Sequence, residues 1–349
     1  MQEYFKNKKV LITGHTGFKG SWLSLWMSML GAKVYGISIS IPTHPSHFEL
    51  LNLNIKNDIR IDIYDSKKIA EIISKIKPDY IFHLAAQPLV LDSYKNPFET
   101  FEINFLGTLN ILELTRNMKK IKSTIIVTTD KVYKTSTKKS TYEEKDALGV
   151  TDPYGSSKVT AEIVSETYIK LLFNKDKFLK AATVRAGNVL GGGDFSKNRL
   201  IPDLIRSLET KSKLIIRNPD HIRPWQFVME PLYGYILLAE KIYKNKIKKN
   251  DYCWNFALNK KNCITVKNFI NIFSKNLNKK IIIKFYNNKI NKNQKETKIL
   301  KLKSDKSKSL LHWKPKYKVE KIIDLIKEWY FQGLKKNNQE KIVLKQIKE

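Results

Sequence analysis

The stretch GHTGFKGSW, Gly14–Trp22, follows the apolar run Val10–Ile12 after a single threonine. Its glycines stand at 14, 17 and 20, spaced G-x-x-G-x-x-G, between a strand pattern and a helical one. Two kinds of phosphate cradle use such ingredients. A mononucleotide P-loop needs lysine and Ser or Thr after its last glycine, so that the hydroxyl reaches magnesium. Here Lys19 precedes Gly20, and that register fails. A dinucleotide loop needs no lysine. Its glycines allow a tight turn, close approach of backbone to pyrophosphate, and contact of helix with strand. Free N–H groups at the helix start then meet the anion. The stretch reads as a dinucleotide loop, with Lys19 and His15 as its unusual members. Either Lys19 points to solvent from the first helical turn, or one or both residues meet an anionic group near the ligands.

Outward from the loop, Val10–Thr13, Lys33–Ile39, Asp58–Ile63, Tyr80–Leu84, Ser123–Thr128 and Ala181–Val184 read as strands. Helical patterns at Ser21–Leu30, Ser66–Ser74, Thr100–Met118 and Ser156–Phe173 alternate with them. Short Val/Ile-rich strands between helices predict an α/β fold, a Rossmann-type doubly wound parallel sheet covered on both faces. Ligands of such a sheet bind beyond the strand carboxyl ends, where the strand order reverses. After Gly187 the pattern loosens. A loop at Gly191–Asp194, short elements at Leu200–Leu208 and Leu214–Arg217, a helix at Met229–Tyr243 and a strand at Tyr252–Ala257 follow. The expected division is a Rossmann domain of residues 1–190 and 226–260 and a smaller C-terminal α/β substrate-binding lobe of residues 191–225 and 261–335. Residues 336–349 are either a frayed charged helix or disordered.

The chain has 349 residues and a formal net charge of +31. Lysine supplies nearly all the excess and is spread along the chain, thickest in the last hundred residues. Base readout and phosphate forks favour arginine. The charge is therefore read as a solvated, compositionally biased surface, and no nucleic-acid partner is expected. No stretch approaches the roughly 18 apolar residues of a membrane span, and the charged start MQEYFKNKKV has no signal-peptide pattern. Two cysteines, Cys253 and Cys263, exclude a disulfide framework and a four-thiolate metal site. They suit a reducing, cytoplasmic setting. The six histidines show no metal-ligand spacing, and no metal is expected.

Two further constellations carry chemistry. Tyr154 and Lys158 are four residues apart, which puts them on one helix face. An ammonium beside a phenol favours the phenolate, so the tyrosine pKa is expected to fall from about 10 toward working pH. Such a base can take a proton from a sugar hydroxyl while a hydride leaves the same carbon. Thr128-Thr129-Asp130-Lys131 ends an apolar strand, hence lies at the predicted ligand edge. Hydroxyl, carboxyl and ammonium in succession suggest an acid and a base sharing one site.

Together these elements resemble the extended short-chain dehydrogenase/reductase superfamily, and within it the sugar-nucleotide 4,6-dehydratases. The narrower match rests on GHTGFKGSW, HLAAQPLV at His83–Val90, VTTDKVY at Val127–Tyr133, VRAGNVLGGGD at Val184–Asp194, RLIPD at Arg199–Asp203 and IRPWQFV at Ile222–Val228. The resemblance implies conversion of a nucleotide-activated hexose, CDP-D-glucose in the first place, to its 4-keto-6-deoxy form. In that scheme Tyr154, with Lys158 and Thr129, deprotonates the 4-hydroxyl. Lys131, standing where many relatives have glutamate, removes the C5 proton as a neutral amine. Asp130 stays protonated and donates to the departing 6-hydroxyl.

The implied cofactor is NAD, held by Thr13, Gly14, Thr16, Gly17, Phe18 and Gly20, by Asp62 and Ile63 beside adenine, by Leu84, Ala85 and Ala86 on the ribose side, by Asn104, and by Tyr154 and Lys158. The second strand ends Ile37-Ser38-Ile39-Ser40, with neither an acidic residue for the ribose nor an arginine in its place. This leaves NAD and NADP open. Gln87, Asn188, Arg199, Arg217, Arg223 and Gln226 are the implied substrate contacts. Arginines crowd between positions 185 and 223, where bidentate phosphate binding is wanted. Residues 134–150 are lysine-rich where this family usually carries tryptophan. A homodimer through a four-helix bundle of Thr100–Met118 and Ser156–Phe173, or a tetramer, is implied.

Alternatives are a dehydratase for a UDP-N-acetylhexosamine or GDP-sugar, a 4-epimerase, and a basic Rossmann-type binding protein. An epimerase would not need Asp130 and Lys131. A dehydratase that also inverts C5 usually lacks the tyrosine, and a binding protein would be free to lose Tyr154 or Lys158.

Overall fold

Seven short strands form one parallel sheet in a computed structural model of the chain, whose described residues are 2–51, 53, 55–136, 139–173, 178–258, 262–285, 299–334 and 338–349. They are β1 (Lys9–Thr13), β2 (Lys33–Ser38), β3 (Asn57–Arg60), β4 (Tyr80–His83), β5 (Ser123–Val127), β6 (Ala181–Ala186) and β7 (Cys253–Phe256). Their spatial order is β7-β6-β5-β4-β1-β2-β3. The chain winds outward from β1 to β3, then crosses back to β4 and winds the other way. The reversal lies between β1 and β4, whose last residues Thr13 and His83 are in register. That is where a doubly wound sheet opens its ligand crevice.

Every residue of β4, β5, β6 and β7 is buried, as a sheet covered on both faces requires. Alternation sorts β1 between two cores: Val10 and Ile12 join the larger cluster, Leu11 the smaller. On the smaller side, α2 (Ser66–Ile76; α1 is Phe18–Met29) buries Ile69, Ile73 and Ile76, one stripe at helical spacing. Asp65 caps this helix by accepting from the Lys68 N–H at 3.1 Å. Between β4 and β5, Pro97–Phe101 and Gly107–Asn117 are joined by a π turn at Glu102–Leu106. Beside them runs Pro153–Thr167, continued by a second π turn, Tyr168–Leu172.

β7 brings the chain back into the sheet beside β6 after Met229–Tyr243, a helix buried along most of its length. Outside the sheet, Leu214–Ile216 pairs with Ile283–Phe285 and Ile222–Pro224 with Cys263–Thr265. The boundary expected at 260/261 lies outside the described residues. The tail differs from the sequence reading. Residues 335–337 lie outside the described set, but Gln339–Lys348 is a helix that buries Ile342 and Val343 in the main core. Four apolar residues, Ile342, Val343, Leu344 and Ile347, set among lysines were too weak a pattern to announce that stripe. The lysine-rich segment is also tied down on both sides of residues 137–138, which are not described. Thr141–Tyr142 pairs with Lys301–Leu302, and Tyr142 stacks on Tyr133 at 5.3 Å between ring centroids. Among the described residues no helix is long and apolar enough to cross a membrane.

Candidate active site

After β1 the chain turns at Gly14, whose φ of +73° a side chain would resist. A Cβ there would stand 2.7 Å from the Ala85 nitrogen in the loop after β4, and one on Gly20 only 2.0 Å from the Gly14 oxygen. The two glycines let the turn, the start of α1 and the Leu84–Ala86 loop meet with no side chain between them. Gly17 is the cap residue of α1, and no side chain caps that end. Its first N–H groups are therefore left for an outside acceptor. They face a cleft of about 1060 Å³ that runs from this loop, past the ends of β2, β4 and β5, to the lobe around Arg199 and Arg217. Small-molecule sites usually enclose roughly 300–1,000 Å³, so the cleft is large enough for a dinucleotide and a second ligand. Bare backbone donors and glycine clearance fit a pyrophosphate.

Gly14, Thr16, Gly17, Phe18, Gly20, Asp62, Ile63, Leu84, Ala85 and Ala86 all line this cleft, as expected from the sequence. So do Ile37–Ser40 at the end of β2. Thr16 Oγ1 donates to the Ser40 carbonyl at 2.7 Å, which fixes that edge. Asp62 falls after the end of β3 rather than within a strand.

The two odd residues of the loop separate. His15 is fully buried; its Nδ1 bonds Ser38 Oγ at 2.9 Å and its Nε2 bonds Asp58 Oδ1 at 2.8 Å. It is a strut joining the loop to β2 and β3, and the anion it meets belongs to the protein. Lys19 lines the cleft instead of standing in solvent. Burial and the neighbouring Arg199 push its ammonium down to about 8, with Asp130 opposing.

The catalytic constellation is built by two local devices. Asp152 caps the helix Pro153–Thr167, accepting from the Gly155 N–H at 2.8 Å, with Pro153 in the first turn. This sets Tyr154 and Lys158 on one face at the cleft. Opposite, β5 ends at Val127 and Asp130–Val132 form a 3₁₀ turn whose cap is Thr129. The turn delivers Thr129, Asp130 and Lys131 to the same wall. Thr129 Oγ1 donates to Asp130 Oδ1 at 3.1 Å, and Thr129 also hydrogen-bonds the Tyr154 phenol. Burial raises the Asp130 carboxyl against the pull of Lys131, Thr129, Arg223 and Lys19. That is the direction a proton donor needs.

Tyr154 differs from expectation. Burial drives its phenol up to about 12, and the bond from Thr129 only moderates this. Lys158 is itself pushed down to about 8 by burial and Lys19, and its Nζ donates to the Val127 carbonyl at 3.3 Å. Four-residue spacing predicted the shared face but not the desolvation, which is the largest influence on both groups.

Arg199, Arg217, Arg223 and Asn188 line the lobe side of the cleft. Arg199 Nη1 lies 3.3 Å from Asp194 Oδ2. Arg206 also lines it but holds its own loop, donating to the Phe195 and Ser196 carbonyls at 3.0 and 3.1 Å. Four expected contacts stand behind the wall. Thr13 Oγ1 accepts from the Ala85 N–H at 3.2 Å. Asn104, in the π turn, accepts from the Gln87 N–H at 2.9 Å and donates to Ser157 Oγ at 2.9 Å. It ties the loop after β4 to the tyrosine helix. Gln87 turns inward to Leu89 and Thr100, and Gln226 is buried beside Asn188, whose carbonyl accepts its backbone N–H at 3.0 Å. Motif matching located these four in sequence but could not tell a wall from its backing.

Arg185, at the start of the arginine-rich stretch, turns away from the cleft into a bidentate pair with Glu162. Glu162 was not foreseen at all. The available signals were a charge inside the buried strand AATVRA and a carboxylate one turn after Lys158.

A doubly wound sheet with a glycine cradle, facing a tyrosine–lysine helix and an acid–base turn, defines an extended short-chain dehydrogenase/reductase. The chain belongs to the GDP-mannose 4,6 dehydratase family, whose model matches residues 11–326. It is 39% identical over 334 residues to the CDP-glucose 4,6-dehydratase of Salmonella typhimurium, covering 94% of this chain and 92% of that protein. Among solved structures, the dTDP-glucose 4,6-dehydratase of Bacillus anthracis, in complex with NAD, superposes with a TM-score of 0.78 at 20% identity over 94% of this chain and 98% of its own. The UDP-glucose 4-epimerase of Thermotoga maritima, solved with UDP-glucose, gives 0.79 at 22% identity over 93% and 99%. These two likenesses concern the fold.

Proposed function

We propose that this protein is an NAD-dependent hydro-lyase that converts CDP-D-glucose to CDP-4-dehydro-6-deoxy-D-glucose and water. The observation that carries the reading is the meeting of Asp130 and Lys131 with Tyr154 at one wall of a cleft that begins at the glycine cradle. Near-full-length identity to a CDP-glucose 4,6-dehydratase favours the CDP sugar.

Gly14–Gly20, Asp62–Ile63 and Leu84–Ala86 would hold NAD, which would supply a two-electron acceptor. Tyr154, oriented by Thr129, takes the proton of the sugar 4-hydroxyl. The ammonium of Lys158 stabilises the resulting charge. The 4-ketone acidifies the neighbouring C5–H, and Lys131 removes that proton. Asp130, whose carboxyl burial pushes up, gives its proton to the 6-hydroxyl, which leaves as water. Arg199, Arg217 and Arg223 hold the diphosphate, and Lys19 faces the same anionic ligands. In this reading residues 191–225 and 261–335 form the sugar-nucleotide lobe and residues 1–190 with 226–260 the NAD domain. The enzyme works in the cytoplasm, supplying 4-keto sugars for deoxysugar assembly.

The assembly we infer is a dimer through a four-helix bundle. Supporting it, the paired helices around Pro97–Asn117 and Pro153–Leu172 carry Phe98, Ile163 and Leu171 at 76%, 55% and 77% exposure, unusual for large apolar side chains.

The test is a panel of CDP-, UDP-, GDP- and dTDP-hexoses with NAD or NADP, read by the ultraviolet absorbance that 4-keto sugars develop in alkali. CDP-glucose with NAD should give the highest kcat/KM. Turnover of only UDP- or GDP-sugars would remove the CDP assignment, and a C4 epimer without a ketone would replace dehydration by epimerisation.

A further inference from the structure

Below the cleft lies a buried ionic network that the chemistry above does not use. Glu162 follows Lys158 by one helical turn on the same face. Its side chain is 1% exposed, and that of Arg185 on β6 is 2% exposed. Arg185 Nε donates to Glu162 Oε1 at 2.8 Å and Nη2 to Oε2 at 2.9 Å. Thr128 Oγ1 and Thr183 Oγ1 complete the carboxylate at 2.5 and 2.7 Å. Beyond it, Arg185 Nη1 donates to the Tyr133 hydroxyl, which donates to Asn255 Oδ1 on β7, both at 2.8 Å.

Burying two ions costs several kcal/mol each before their attraction is counted, and well-packed apolar residues often serve stability as well. The placement of this pair suggests another use. Thr128 directly precedes the catalytic turn Thr129–Lys131, so Glu162 grips the end of β5. Lys19 from α1 lowers the Lys158 ammonium, Glu162 from its own helix raises it, and His83 from β4 feels Lys158 in turn; Asp130, Lys131 and Tyr154 line the same cleft. Burial pushes the His83 imidazole down to about 3 and the Asp130 carboxyl up. Arg185, Thr128 and Thr183 hold the Glu162 carboxyl below its usual range against burial, and Glu162 is the carboxylate that raises the Lys158 ammonium.

We propose that Glu162, locked by Arg185 and Thr128, is a positioning residue that keeps Lys158 an ammonium and holds the β5 end where Thr129 meets Tyr154. This rests on the reading of Tyr154 as the base and Lys158 as its charge partner. An opposite charge within about 4–6 Å is worth about 1–3 pKa units. Without it, Lys158 loses its proton at lower pH. The phenolate then lacks support, and the base needs higher pH to form.

The test compares wild type with Glu162→Gln and Glu162→Asp. In Glu162→Gln the acid limb of kcat/KM should move up by about one pH unit, with KM for the sugar nucleotide within about twofold of wild type. Glu162→Asp, which retains the charge, should bring the limb back. Lysine-selective ¹³C NMR gives a readout independent of turnover. The Lys158 signal, assigned with Lys158→Met, should titrate near 8 in wild type and lower in Glu162→Gln. If Glu162→Gln does not fold, the double variant Glu162→Gln/Arg185→Met leaves no buried ion unpaired, and its limb and Lys158 signal should move in the same directions. An unmoved limb and Lys158 signal in folded protein would overturn the inference while leaving the proposed reaction intact. A wild type that turns over no sugar nucleotide, yet shows the Lys158 shift, would overturn the reaction and leave the electrostatic link standing.

Discussion

Two glycines of the cradle serve different purposes, and single methyl groups can separate them. At Gly20 an added Cβ would lie 2.0 Å from the Gly14 oxygen, 2.7 Å from His15 Cα and 2.8 Å from the Gly14 carbon. All three are backbone atoms, and ordinary contact begins at 3.4 Å, so the start of α1 must retreat by about 1.4 Å. An N–H···O bond of about 2.9 Å would then stretch beyond about 4 Å and be lost. One charge-assisted bond is worth about 1.5–3 kcal/mol, which corresponds to NAD binding about 10- to 150-fold weaker. Overpacking adds about 1–3 kcal/mol of lost stability.

At Gly17 the same methyl meets only the Gly14 oxygen, at 3.3 Å, and φ is −72°, a value alanine adopts freely. Gly17→Ala should therefore melt within about 0.5 kcal/mol of wild type, as a surface change does, and still weaken NAD, because its methyl enters the space between helix start and pyrophosphate. The assay is a thermal melt of each apo variant together with an NAD titration by calorimetry. Wild-type NAD affinity in Gly17→Ala would refute the placement of the pyrophosphate. Wild-type melting and affinity in Gly20→Ala would refute the geometry of the cradle.

Further outcomes follow from the same cleft. Lys131→Ala should allow oxidation at C4 but stall afterwards, accumulating reduced nicotinamide on the enzyme; an unchanged turnover rate would remove Lys131 from the mechanism. Lys19 is cationic below about 8, so its attraction for anionic ligands is present at pH 7 and fades as pH rises through that value. Titrations of NAD and CDP-glucose between pH 7 and 9 should show this weakening in wild type and a flat profile in Lys19→Ala, whereas equal profiles would mean that Lys19 touches neither. Phe98→Glu with Leu171→Glu should convert a dimer to monomers in sedimentation velocity without changing the fold by circular dichroism. A variant that sediments as wild type would place the interface elsewhere.

The alternation of short apolar runs with helical patterns, the glycine register at Gly14–Gly20 and the Asp152-Pro153 helix start were legible because each depends on neighbours within a few residues. Hydrophobic period and backbone sterics act at that range, and they were enough for the doubly wound sheet, the dinucleotide loop and the shared face of Tyr154 and Lys158. Four of the expected contacts, Thr13, Gln87, Asn104 and Gln226, lie behind the residues that line the cleft. Which side of a loop a side chain takes depends on what packs behind it.

Long-range neighbours decided the rest. His15 and Lys19 are both polar members of one loop, yet His15 is consumed by Ser38 and Asp58 while Lys19 lines the cleft. Ile342, Val343, Leu344 and Ile347 are apolar residues in a charged tail, and only the core they meet makes that tail a packed helix. Burial, set by every element that closes over the site, lifts Tyr154 and Asp130 and depresses Lys158 and Lys19. Glu162 and Arg185 find each other across 23 residues of chain. The amino-acid sequence by itself determined which chemical groups the protein owns and the local turns that present them. The tertiary structure alone determined which are charged and which are paired, because desolvation and Coulomb energy depend on distance in space rather than along the chain.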